Sequence, residues 1–234
     1  MPDKRSRPPA SAERLLLRLP EPARPHVRES LARLGSIRSP KQAMQAFSDE
    51  VEHLLQVLMP VFVRNARIRT PAAARRLAAL SASAAAAVEQ ADELLALLSF
   101  GATVTPGTPT VLAVGLVATL VEAYATASVR VHQLREHGYA VDPDAIARDV
   151  HAALFDAQER SKRGKALGDG LAPRGATRLA RRWAAGLVPV VGVAYAGRDA
   201  TRTVDRVLRL PMPVTARVPN AARLAGPDAS GTSD

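Results

Sequence analysis

The sequence predicts an all-α protein, a multi-helix bundle that contains two apolar helical hairpins. Apolar residues recur at spacings of three and four along most of the chain, the period of one helix face. Hydrophobic residues make up 47% of it but aromatics only 3%. Ala, Leu and Val must therefore fill the core, which suits close helix contacts better than an aromatic-rich sheet. No alternating apolar and polar run with hairpin turn signals is present to support a strand. A chain of 234 residues fits one domain with a sizeable core.

The central element lies in residues 105–143. Thr108-Pro109 reads as an N-cap and first helical position, and Gly138 as the residue just past the helix end. Ala113, Val117, Leu120, Tyr124, Ala127, Val131 and Leu134 fall on one side as a seam for another helix. From Val111 to Ala118 the helix is apolar all round, so protein or lipid must enclose it.

Residues 1–40 read as a Pro-rich, largely flexible segment broken by Pro2, Pro8, Pro9, Pro20, Pro22, Pro25 and Pro40. One short helix is expected there, from Val27 to Leu34. A helical domain is expected over 41–210. Its first long helix starts at Ser39-Pro40 and carries the stripe Ala43, Phe47, Val51, Leu54, Leu55, Leu58 and Phe62. Pro60 is expected to kink or end it. Thr70-Pro71 opens an Ala-rich helix reaching Phe100, with Leu77, Leu80, Ala84, Val88, Ala91, Leu95 and Leu98 as its stripe. No residue from Leu94 to Val121 is charged, and GATVTPGT at 101–108 forms the turn of an apolar-tipped hairpin.

Asp142-Pro143-Asp144 is an N-cap with Pro at the first position and acid in the first turn. Ile146, Val150, Ala153, Leu154 and Ala157 face inward from the helix it opens. A second uncharged run, Ala184 to Gly197, is too short to cross a membrane, which takes about 20 residues. Pro189 and Gly192 interrupt it, so it reads as a second apolar hairpin tip. Asp199 to Leu210 then forms a short amphipathic helix, and 211–234 a flexible tail.

Motifs for chemistry are missing. The five His (His26, His53, His132, His137, His151) make no HExxH or zinc-type spacing, and neither GxxxxGKS nor GxGxxG occurs. There is no Cys, which excludes disulfides and thiolate metal sites and gives no pointer to an oxidising compartment. The expectation is a non-enzymatic protein without metal or cofactor. The apolar run Leu15–Leu17 is too short for a signal-peptide core, so no cleavable signal is expected.

Glu122 is the one acid within an otherwise uncharged stretch from Thr110 to Val129. It is the candidate buried acid. Either it has a task in an apolar layer, or it belongs to a polar back face with Thr119, Thr126, Arg130 and Gln133 and pairs with an Arg of a neighbouring helix.

The formal charge is +10. That fits an anionic partner, membrane or nucleic acid, or simply an Arg-rich, Ala-rich coding bias. Arg174, Arg178, Arg181 and Arg182 precede Trp183, which leads into the second apolar run. Cations beside a Trp and an apolar wedge suit an anionic membrane surface. Few aromatics are available to stack on bases, which argues against nucleic acid. A solvated basic face or a protein-partner surface is the plainer alternative.

Pro106-Gly107-Thr108-Pro109, then Glu122 in mid-helix, then His137-Gly138-Tyr139 and Asp142-Pro143-Asp144, with the later turn Pro189-Val190-Val191-Gly192, together resemble the EcsC family of helical proteins over roughly residues 75–208. The founding member of that family is linked to a bacterial ABC exporter. The resemblance implies a non-enzymatic, membrane-associated bacterial protein on the cytoplasmic side, with a membrane surface or membrane protein as partner. It implies no catalytic residue.

Overall fold

The computed structural model describes residues 9–37, 40–98, 109–156 and 189–212. Among them are seven α-helices and no strand: α1 (Ala10–Leu16), α2 (Arg24–Gly35), α3 (Pro40–Arg64), α4 (Pro71–Leu98), α5 (Pro109–Glu136), α6 (Pro143–His151) and α7 (Pro189–Leu208). A 3-10 turn over Glu21–Ala23 leads into α2, and a π-helical turn over Ala152–Asp156 extends α6.

α5 is the axis of the bundle. It packs against all six other helices, and every residue from Val111 to Val131 is buried. It is long and apolar enough to span a bilayer, but 94% of its apolar window is covered by the rest of the protein. The expected all-round enclosure is thus supplied by helices. Its end is fixed as the sequence predicts. Gly138 adopts φ +74, a left-handed conformation that costs Gly little. Tyr139 N–H then reaches the Leu134 carbonyl at 2.9 Å and Gly138 N–H the Arg135 carbonyl at 3.0 Å, the paired bonds of a Schellman motif. At α6 the Asp142 carboxylate accepts from the N–H groups of Asp144 and Ala145, satisfying two orphan donors of the first turn.

Residues 9–37 correct the linker reading. Ala12, Leu15, Leu16, Leu19, Ala23, Val27, Leu31 and Leu34 are all buried in the main core. The prolines here start elements instead of breaking them: Pro9 is the N-cap of α1, and Pro22 and Pro25 lie at the first positions of the 3-10 turn and of α2, where a missing N–H costs nothing. Pro60 does not end α3, which continues to Arg64. Pro60 is exposed, and so is Gln56, whose carbonyl loses its partner to the proline. Water can satisfy that carbonyl, while buried Leu58, Met59, Phe62 and Val63 hold the helix to the core.

The stripe on α4 differs from the expected one. Leu77 and Val88 of that stripe pack against the core, but the fully buried apolar residues here are Ala74, Ala78, Ala82 and Ala86, and Leu80 is 49% exposed. Small residues win this face because α7 packs there at close range. A Cβ on Gly197 would lie 2.6 Å from Ser83 Oγ, and Ser83 donates to the Val193 carbonyl at 3.1 Å. The second apolar run is corrected in the same way. Pro189 starts a helix that runs on through Gly192 and Gly197 to Leu208; the glycine at 197 permits approach and does not break the helix.

Helix directions follow from the contacts. Ser83 meets Val193 and Arg75 meets Asp205, so α4 and α7 are antiparallel. Gln133 of α5 donates to Leu208 O, so the C-terminal ends of α5 and α7 coincide. The C-terminal end of α4 and the starts of α5 and α7 therefore lie at one end of the bundle. At the opposite end, Tyr124 OH donates to Asn65 O and His132 Nε2 contacts Ala66 O, which brings the α3–α4 connection beside the last turns of α5.

Candidate interaction surfaces

Glu122 is wholly buried. Its carbonyl accepts from Thr126 Oγ1 at 2.8 Å. Thr119, also buried, bonds back to Gly115 O. This polar side of α5 is internal, so Glu122 is a core acid and is not offered to solvent. Arg174, Arg178, Arg181, Arg182 and Trp183 lie outside the described residues, as do the expected first tip at 101–108 and residues 184–188 at the start of the second apolar run.

The same side of α5 carries a residue whose importance the sequence concealed. Arg130 is 1% exposed. Its guanidinium donates to Asp149 Oδ2 at 2.8 Å, Gln133 Oε1 at 2.8 Å, Leu210 O at 3.3 Å and Pro211 O at 2.8 Å. A buried cation is tolerable only when paired and fully hydrogen-bonded. Here the bonds tie α5 to α6 and to the chain leaving α7. None of this acts on a substrate; it is a clasp.

For chemistry the described residues offer little. A cleft of about 610 Å³ between α3 and α6 is lined by Glu52, Gln56, Asp144, Arg148 and His151 among others. His151 stacks on Phe155 with ring centroids 4.7 Å apart. Among the described residues no hydrogen bond joins Glu52, Asp144 and His151, and no three His, Cys, Asp or Glu converge to hold a metal.

Charge is distributed unevenly. In the N-terminal layer each salt-bridged arginine meets glutamate: Arg28 with Glu13 at 3.0 Å, and Arg33 with Glu29 at 2.9 Å and Glu50 at 2.7 Å. Hydrogen bonding to Arg33 holds the Glu50 carboxyl below its ordinary value, against the opposing effect of burial, and Glu50 in turn raises Arg33. The hydrogen bond that Arg28 donates to Glu13 likewise raises Arg28. Across the α3–α4 connection the pattern reverses. Arg64, Arg67, Arg69 and Arg76 are exposed, and among the described residues none forms a salt bridge. Only Arg75 does, with Asp205. The signal was present in the sequence, where no acid occurs between Glu52 and Glu89.

Comparison with protein families, characterised proteins and solved structures finds no match to this chain.

Proposed function

We propose that this is a non-enzymatic helical protein bound peripherally to the cytoplasmic face of a bacterial membrane. The observation that carries the reading is the convergence of the end of α4 with the starts of α5 and α7 at one end of the bundle. Both charge-free stretches of the sequence, 94–121 and 184–197, thereby lead to a single pole, with Arg174 to Trp183 next to it in the chain. An apolar pole bordered by cations and a Trp suits an anionic bilayer. The EcsC resemblance supplies the accompanying partner class, a membrane transporter to which this protein would be accessory.

Sedimentation with anionic vesicles at low and high salt tests it. Binding is expected, weaker for an Arg178→Ala, Arg181→Ala, Arg182→Ala variant. No binding at either salt overturns the reading. The burial of α5 by protein favours one second reading, a soluble helical scaffold, which predicts a monodisperse protein without detergent that ignores vesicles.

A further inference from the structure

We propose that the α3–α4 corner is a docking surface for a short acidic segment of a partner protein. Arg67 and Arg69 are exposed while Ile68 between them is partly buried. Residues two apart in extended chain share a side, about 6.6 Å from one another. Arg76 follows on the second turn of α4 and is likewise exposed.

The ordinary structural account of surface arginines does not cover these three. Cations in the last turn of a helix are favoured by its dipole, and that explains Arg64 and Arg135. Arg67 and Arg69 are in no helix. Arg76 lies in the second turn of α4, away from the C-terminal end at which the dipole favours a cation. Its neighbour Arg75 is compensated by Asp205 at 2.7 Å; Arg76 has no ion pair. Like charges gathered without internal compensation weaken the free protein slightly, and a partner's carboxylates remove that cost on binding.

The partner is a compact acid, not an extended one. The same end of the bundle carries Glu136, Asp142 and Asp144 on the α5–α6 turn, all exposed. A rigid nucleic acid duplex or a flat lipid surface laid across this end would set its phosphates against those carboxylates. A short segment with a few Asp or Glu can engage the arginines and stop before them. The chain contains its own precedent: Arg33 grips Glu50 through two bonds, at 2.7 and 3.0 Å, the bidentate geometry an Arg–carboxylate interface uses. The proposal stands apart from the membrane reading, which concerns the opposite pole.

The test is fluorescence anisotropy of a labelled Glu-rich 12-residue peptide against the full-length protein. Salt-sensitive binding is expected. It should fall about tenfold or more in R67E/R69E/R76E and much less in R14E/R18E/R198E, which makes the same change in net charge elsewhere on the surface. Equal loss in both variants, or no loss in the first, overturns the proposal. So does tighter binding of a duplex oligonucleotide or of anionic vesicles that disappears with the same three reversals. Circular dichroism checks folding; if the reversal variant fails to fold, R67Q/R69Q/R76Q is read in its place.

Discussion

The N-terminal layer and the α3–α4 corner are both rich in arginine, and they use it in opposite ways. In the layer, Glu13 reaches Arg28 from α1 and Glu50 reaches Arg33 from α3, while Glu29 pairs with Arg33 along α2 itself, so the charges close on one another and fasten α1, α2 and α3 together. At the corner the chain turns away from α3 to begin α4, and among the described residues no carboxylate pairs with Arg67, Arg69 or Arg76. The same side chain is internal cement in one place and an open valence in the other. The number of arginines does not distinguish the two regions; the carboxylates brought within reach by packing do.

The contrast is tested most severely at Arg130, the most completely satisfied arginine. Arg130→Met should cost about 3–5 kcal/mol, because it leaves the Asp149 carboxylate and two carbonyls without their donor. A urea titration measures this, and a loss below about 1 kcal/mol would mean that the clasp is idle. A smaller effect is expected at Glu50, whose side chain is 16% exposed. Glu50→Gln should lower stability by about 1 kcal/mol near neutral pH.

The sign of the pH dependence follows from the direction of the Glu50 shift. A carboxyl held below its ordinary value of 4.5 in the folded state contributes stability above that value. The contribution is lost as pH falls through the lowered folded value. The gap between wild type and Glu50→Gln should therefore be flat at neutral pH and close in acid; a gap that widens in acid would contradict the pairing.

Arg75→Ala, which opens a half-exposed pair with Asp205, should cost about 0.2–1 kcal/mol. Smallest of all, Arg67→Ala or Arg69→Ala should stay within about 0.5 kcal/mol of wild type by thermal melt. Stabilisation at low salt would sharpen the contrast, and a loss above about 1 kcal/mol would erase it.

Much of this fold could be read from the sequence where local chemistry decides it. Gly138 after a long apolar helix, Asp142-Pro143-Asp144, and the Phe47-to-Phe62 stripe each specify their element through bonds or faces within a few residues. The errors arose where distant partners decide. The prolines of residues 9–37 signal breaks unless the core that accepts Leu16 and Val27 is known. Ala74, Ala78, Ala82 and Ala86 look weaker than Leu80 until α7 is seen to need a flat neighbour. Gly192 reads as an interruption for the same reason, yet lies within α7. Arg130 and the corner arginines were illegible as a contrast because pairing spans long separations: Arg75 and Asp205 lie 130 residues apart. The candidate membrane residues from Arg174 to Trp183 rest on the sequence alone.

The enclosure of α5 has a consequence for biosynthesis. Chains emerge from the ribosome N-terminus first, so α5 is complete before the helix that covers the flank bearing Ala125 and Val129 has been translated. Until α7 arrives and the carbonyls of Leu210 and Pro211 reach Arg130, the nascent protein displays on that flank a helix long and apolar enough to cross a membrane, so its shielding from water waits on the last helix to be made.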